Sequence, residues 1–460
     1  MPSPTSKRRL HPLITGTIIL TLTGVVSRVI GFFYRIYLAR LFGEEGMGIY
    51  QLLGPVLSLS FAFTSAGYQT AISKTVAEQT ACQGKPSFRP LAAGLSISLP
   101  LSILCNVLIF FSADPIAAVF LQEPRTASML KILAFSIPLS AVHSCVNGYF
   151  YGVKKTGVPS VTQLTEQLIR VSCVYGLSAW TLSRGYLPSI RIAALGLTLG
   201  ELASVLVSVF CIFSAYRKSY ASLPDRSVLS SPILPCAFRR TYHDLLVCAL
   251  PLTANRMVLN FLQSIEAVTL PAKLRLYGYD VTTALSVYGV LTGMAMPLIF
   301  FPNAVTSSIS ILLLPLISES YAVGNFRKVK ENTVQTIRFC ALLGLFCMAV
   351  FLFLGKWAGN FLFHSPLAGH FIQTLSFICP FIYLDTTLSS ILQGLGCSGR
   401  IFLINALGIL IRLAFVFFLV PHFGIKGYLW GMLAGQITLA LLYLLCLGHV
   451  LRSCGASSSV

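Results

Sequence analysis

Arg28 and Arg35 stand seven residues apart in the first long apolar stretch of this chain, "SRVIGFFYRIYLAR" over 27–40. Seven residues are two helical turns, so both guanidinium groups share one helix face, about 10 Å apart along the axis. An arginine at the centre of a lipid-exposed helix costs about 2.5–3.5 kcal/mol. Two on one face therefore point to a wet space inside the protein, and their planar forks suit phosphate oxygens. The competing reading is pairing with buried acids, and the stretch carries none of its own. Arg40 lies near the far end of the helix, where it can snorkel, and no role is assigned to it.

Other charged residues in apolar stretches are few. Arg256 and Glu266 share one segment; Arg256 is a candidate third anion ligand. Glu266 is a candidate for holding these arginines when substrate is absent, for binding a coupling cation, or for a plain salt bridge. Asp385 and Arg412 flank the turn at 395–399 at similar depth, which predicts an ion pair closing that hairpin. Glu166 and Arg170 are one turn apart on one face and are expected to pair. His143 is either a proton carrier or a packed neutral imidazole.

These residues need helices to carry them. The 460 residues are 55% hydrophobic and 10% charged, where soluble domains carry about a quarter charged. Mean hydropathy is +0.79. Apolar runs of about 20 residues, long enough to cross a bilayer, recur throughout. The expected fold class is an all-α polytopic membrane protein with about twelve spans, near 12–38, 46–66, 89–112, 127–151, 158–183, 190–215, 242–268, 282–300, 333–355, 368–394, 400–420 and 425–451. The first run is too long for a cleaved signal and has no small-residue cleavage site. The polar interruption at 217–241 divides the chain into an N-terminal lobe, 1–216, and a C-terminal lobe, 242–460, with a cytoplasmic linker between them.

Charge chooses the orientation. Lys and Arg total 33 against 14 Asp and Glu. In a soluble chain that excess suggests nucleic acid; here it follows the positive-inside rule, and no nucleic-acid partner is expected. Basic residues concentrate at the N-terminus and in even-numbered loops, which places both termini in the cytoplasm. Thirteen cysteines show no C-x-x-C spacing, and most lie in apolar spans, so no metal set and no disulfide framework is expected.

The halves echo each other. "LAFSIP" (133–138) matches "LSFICP" (375–380) at an offset of 242, which also pairs Gly152 with Gly394 and "LIR" (168–170) with "LIR" (410–412). On that offset His143 and Arg170 answer Asp385 and Arg412. Gly196, Gly200 and Glu201 likewise echo Gly431, Gly435 and Gln436. This predicts a parallel internal repeat about an axis along the membrane normal. Spans 1 and 7 are then repeat partners and are expected to face one another across the lobes. The glycine pairs are read as helix-packing contacts. Spans 2 and 8 run into Gly67 and into Pro297 and Pro302, so both are expected to break, at corresponding places. "GEEG" (43–46) is read as a helix cap or a gate.

The stretch "RIYLARLFGEEGMGIYQLLGPVLSLSFAFTSAGYQTAISKTVAEQ" (35–79) resembles the stage V sporulation protein B family of polysaccharide and lipid-linked-sugar transporters, in the multidrug/oligosaccharidyl-lipid/polysaccharide exporter superfamily. The resemblance implies alternating access and a role in peptidoglycan-precursor or spore-cortex assembly. It also implies a lipid-linked saccharide substrate, membrane lipids and the cell-wall synthesis machinery as partners. Lipid II flippases of that superfamily show a similar "SR-x-x-GF" start, here Ser27, Arg28, Gly31 and Phe32, with cavity arginines implicated in handling a diphosphate. Arg35 falls one residue later than the second arginine of that pattern. Those flippases carry two further helices for which this chain has no room, so the lipid tail is expected between the lobes.

The sequence thus points to a flippase for undecaprenyl-diphosphate-linked saccharide, with Arg28, Arg35 and Arg256 as the anion site. No cofactor is expected; a coupling ion, H+ or Na+, is not identified. A multidrug/cation antiporter of the same fold is the alternative, and it wants a negative cavity where the buried charge here leans positive. A membrane-embedded glycan enzyme needs an acid/base set on a water-accessible loop, and the external loops are short.

Overall fold

In the computed structural model, residues 12–83, 87–221 and 235–457 are described. They form twelve long helices, several of them broken. The first six are α1 (Pro12–Gln51), α2 (Gly54–Phe61, continuing as Gly67–Gln83), α3 (Arg89–Phe111), α4 (Ala127–Ala134 and Ser136–Gly152), α5 (Gly157–Ser183) and α6 (Arg191–Ala221). The second six are α7 (Pro235–Tyr277), α8 (Val281–Gly289 through Met296–Phe300, then Asn303–Ala322), α9 (Phe326–Phe363), α10 (Pro366–Leu375 and Cys379–Gly394), α11 (Ser398–Phe418) and α12 (Ile425–Ser457). Most of the expected linker lies outside the described residues.

Among the described residues nine helices are long and apolar enough to span a membrane, and α4 makes ten as a pair bent by 43°. The other two of the twelve are α2, which its π-helical turn cuts into pieces of 8 and 17 residues, and α5. α2 carries Gln69, Lys74 and Glu78, and α5 carries Glu166, Gln167 and Arg170.

The repeat is visible in the packing. Gly148 and Gly152 of α4 sit so close to α2 that a β-carbon on either would press the Gln69 or Ser73 carbonyl. Gly394 of α10 meets the Leu314 carbonyl of α8 in the same way. Gly200 of α6 lies over the Glu166 carbonyl and Arg170, while Gly435 of α12 lies over the Gly408 carbonyl and Arg412. Residues 166 and 170 are 242 before 408 and 412, so the contacts coincide in register as well as in helix pair.

Both broken helices break at matching places. α2 contains a π-helical turn at Ala62–Ala66, just before Gly67; α8 contains one at Val290–Ala295, just before Pro297, and turns again at 301–302. Each extra residue frees backbone groups that only protein or water can satisfy at membrane depth. The break in α8 lies beside the cavity described below.

The lobes meet through two cross-lobe helix pairs. α1 packs on α8, and α7 packs on α2. This corrects the expectation that spans 1 and 7 face one another: the two-fold relation sets each against the partner lobe's broken helix. In the α7–α2 seam, Asn260 donates to the Ser58 carbonyl at 3.2 Å and Ser264 to the Pro55 carbonyl at 3.4 Å. In the α1–α8 seam backbones touch. A β-carbon on Gly48 would overlap the Leu285 carbonyl, and one on Gly289 would overlap the Glu44 carbonyl and the Gly48 amide.

This seam closes the end of the bundle opposite the termini. Gly43 adopts φ 69° and kinks α1 there, a left-handed conformation that glycine takes without a side-chain clash. The "GEEG" stretch is therefore a helix break rather than a cap. Beyond it Glu44 accepts from Ser365 of the second lobe, and Glu45 pairs with Arg125 at 2.8 Å. Glu123 and Glu45 hold the Arg125 guanidinium above its ordinary pKa, chiefly through the Glu123 hydrogen bond. Arg40 donates to the Leu362 and Phe361 carbonyls at 2.7 and 2.6 Å, so it caps the end of α9 across the lobes. Sequence alone assigned it nothing.

Gly289→Ala is expected to lower the thermal unfolding temperature in detergent, at a cost of about 1–3 kcal/mol from overpacking. Gly24→Ala is the control, because a β-carbon there meets nothing within 4 Å. Equal melting of the two variants would mean the seam is not held at backbone contact.

Candidate functional site between the lobes

The α1–α8 seam opens toward the half of the bundle that holds the N-terminus. A cavity of about 490 Å³ lies there, lined by Arg28, Gly31, Phe32 and Arg35 of α1 and by Thr292, Met296, Pro297, Phe300, Phe301 and Asn303 of α8. Phe32 and Phe301 form an aromatic wall with ring centroids 5.0 Å apart. Both arginines are exposed to this space rather than packed. Neither makes an ion pair among the described residues. Two free cations on one cavity wall, with apolar and aromatic residues opposite, form a binding surface for an anion carrying an apolar chain.

Arg256 is not in this cavity. It is exposed on α7, on the helix that packs against α2 rather than beside α1.

Each lobe carries a largely buried charge cluster of its own. In the first, Arg170 donates to Glu166 one turn earlier on α5, as their spacing predicts. His143 Nδ1 of α4 lies 3.4 Å from a Glu201 oxygen of α6. One ligand atom from each of His143, Glu166 and Glu201 falls within 4.8 Å of the others, a donor set that is able to hold a cation. The sequence reading placed His143 and Arg170 as repeat partners of Asp385 and Arg412 but did not bring them together with Glu201 as a cluster.

In the second lobe the expected Asp385–Arg412 pair is not formed. Arg412 pairs instead with Glu266 of α7, through Nε to Oε1 at 2.9 Å and Nη2 to Oε2 at 3.0 Å. The Tyr428 hydroxyl of α12 donates to Glu266 Oε1 at 2.9 Å. Glu266 is therefore an acid engaged at both oxygens, accepting from Arg412 Nη2 at one and from Tyr428 at the other, and only 6% exposed. The reason is packing: α11 lies along α7 and α12, and meets α10 little beyond their turn. Both Asp385 carboxylate oxygens are left buried without a hydrogen bond.

Six of the ten cysteines with described side chains are only partly buried.

Twelve helices in two repeated lobes, meeting at a seam with an arginine-lined cavity, define a polytopic membrane protein of the multidrug-exporter fold. An inward-facing multidrug resistance MATE family transporter of the MOP superfamily superposes with a TM-score of 0.69 over 96% of this chain and 99% of that one, at 16% identity. The chain belongs to the polysaccharide biosynthesis protein family, whose model matches residues 13–321. The MatE model also matches, over 260–418. Among curated relatives, stage V sporulation protein B of Bacillus subtilis is 29% identical over 95% of this chain and 84% of its own length. Lipid II flippase MurJ of the same organism is 22% identical over 87% and 76%.

Proposed function

We propose that this protein is a flippase for an undecaprenyl-diphosphate-linked saccharide of peptidoglycan or spore-cortex assembly. One observation carries the reading: Arg28 and Arg35 line a single interlobe cavity and have no carboxylate partner among the described residues. The diphosphate docks on these two forks. Arg256, outside this cavity, is a contact only for another stage of the cycle. The name of one relative, a lipid II flippase, supports this cargo class, and that of another supports a link to sporulation.

With both termini cytoplasmic, the cavity opens toward the cytoplasm and the Arg40–Glu44–Gly48 seam closes the outside. The lobes, joined at 217–241, rock about their two seams, and the far end opens as the near end shuts. No bond is made or broken in the cargo, so the protein is a carrier and not an enzyme. Driving force comes from the membrane potential, at about 2.3 kcal/mol per charge per 100 mV, or from H+ or Na+ at the His143–Glu166–Arg170–Glu201 cluster or around Glu266 and Arg412. The cell-wall synthesis machinery supplies and consumes the cargo.

Reconstitution into liposomes with undecaprenyl-diphosphate-linked N-acetylglucosamine tests this. Flipping well above protein-free vesicles is expected, and none of a cationic dye. Dye transport driven by a proton or sodium gradient, without lipid flipping, would establish the antiporter instead.

A further inference from the structure

A second cavity adjoins the first, inside the C-terminal lobe, and shares Phe300 and Asn303 with it. It measures about 580 Å³. Its polar wall is made of neutral groups with one acid: Gln263, Asn303, Asn405, Gln436, Tyr443 and Asp385. Leu259, Ile382 and Leu439 give it apolar patches. Arg412 also reaches it, but that guanidinium is already held by Glu266.

The wall is ordered from within. Thr386 donates to Asn303 Oδ1 at 3.0 Å, and the Tyr443 hydroxyl donates to Asn405 Oδ1 at 3.0 Å. Asp385 is the exception, since both its oxygens lack a partner. A buried carboxylate without donors is costly, so its persistence implies a partner that arrives. In the corresponding cluster of the first lobe the carboxylates are met, Glu166 by Arg170 and Glu201 by His143, and the buried atoms left without a partner are nitrogens, His143 Nε2 and Arg170 Nε.

Three occupants supply what Asp385 lacks: a proton, a cation, or a molecule rich in hydroxyl donors. Volume separates them. A water molecule takes about 30 Å³ of liquid, and a bare cation takes less, whereas sites for small organic ligands run about 300–1,000 Å³. Charge excludes a second phosphate, because the cavity offers a free acid and an arginine already neutralised. Amides, hydroxyls, one tyrosine and one carboxylate form a hydrogen-bonding wall for a neutral sugar ring, with the apolar patches beneath its C–H face.

We infer that this cavity is a saccharide subsite, which receives the first, uncharged sugar of the cargo while its diphosphate rests on Arg28 and Arg35, with Asp385 accepting from sugar hydroxyls. The inference rests on the flippase reading and deepens it. The shared Phe300 and Asn303 stand where the diphosphate would join the sugar. Asn303 also opens the second half of α8, so sugar binding bears directly on the broken helix of the seam.

The test compares two lipids on purified full-length protein in nanodiscs: undecaprenyl diphosphate, and the same lipid bearing N-acetylglucosamine. The wild type is expected to bind the sugar-bearing lipid at least tenfold more tightly. Asp385→Asn and Asn405→Ala, each eluting as a single folded species, are expected to erase most of that preference while changing sugar-free binding less than twofold. Arg28→Ala is expected to weaken both lipids alike. No wild-type preference, or a preference that survives both subsite variants, overturns the subsite while an Arg28→Ala effect leaves the flippase reading standing. An Asp385→Asn variant that loses a sodium or pH dependence but keeps the preference would show a cation site and likewise overturn it. If Arg28→Ala alters neither lipid, the anion site fails separately.

Discussion

Glu266→Ala is expected to destabilise the protein by about 3–5 kcal/mol, the cost of stripping one partner from a buried ion pair. Arg412 then remains in the membrane-spanning part of α11 without its acid, and the Tyr428 hydroxyl loses its acceptor. Glu266→Gln keeps an acceptor for Tyr428 but removes the charge, and an intermediate loss is expected. The double variant Glu266→Ala/Arg412→Leu removes both charges and should recover most of the stability, because a buried pair is often worth little more than apolar packing. Unfolding followed in detergent, with all three variants in one series, gives the comparison. If Glu266→Ala melts with the wild type, the pair contributes nothing and α7 is held to α11 by apolar contacts alone. If the double variant is as unstable as the single, the loss comes from packing and not from an orphaned charge.

Much of this architecture is legible in the sequence, because a bilayer leaves so few choices. Apolar length marks the helices, and an internal offset of 242 residues marks the repeat. The offset is informative because Glu166 and Arg170, which pack against Gly200, stand 242 residues before Gly408 and Arg412, which pack against Gly435. The irregular turns of α2 and α8 are legible for a related reason: the π-helical turns lie just before Gly67 and Pro297, the residues at which the sequence suggests irregularity.

Pairing is the part that escapes. Depth along a helix follows from residue count, so Asp385 and Arg412 look like natural partners. Direction around the helix depends on which neighbours pack where, and α11 turns Arg412 toward Glu266 of α7. Sequence order suggests that α10 and α11 form a tight hairpin; in space they part after the turn. Arg40 escapes for the opposite reason. Its partners are backbone carbonyls, Phe361 and Leu362, which every residue has and no motif records. The His143–Glu166–Glu201 group draws on three helices and is visible only once α4, α5 and α6 are assembled.

The double variant Arg28→Ala/Arg35→Ala should lose at least about a hundredfold in affinity for undecaprenyl diphosphate. A hydrogen bond to a charged group contributes about 1.5–3 kcal/mol, and each arginine brings at least one to the phosphates. Two losses of that size multiply to a factor of about a hundred or more, at 1.4 kcal/mol per tenfold. Single variants need not divide this evenly, since the remaining arginine can shift along the same cavity wall. Arg28→Lys/Arg35→Lys separates charge from shape: it keeps two point charges but loses the planar fork, so part of the affinity should return. Arg40→Ala is the control. It weakens the far-end seam, where Arg40 caps α9, and should alter stability more than affinity. Binding to the sugar-free lipid in nanodiscs at fixed ionic strength is the measurement, since surface charge effects fade with salt and a cavity contact persists. Full affinity in the double alanine variant would mean that the free guanidinium groups of α1 serve insertion or gating, and that the headgroup is held elsewhere.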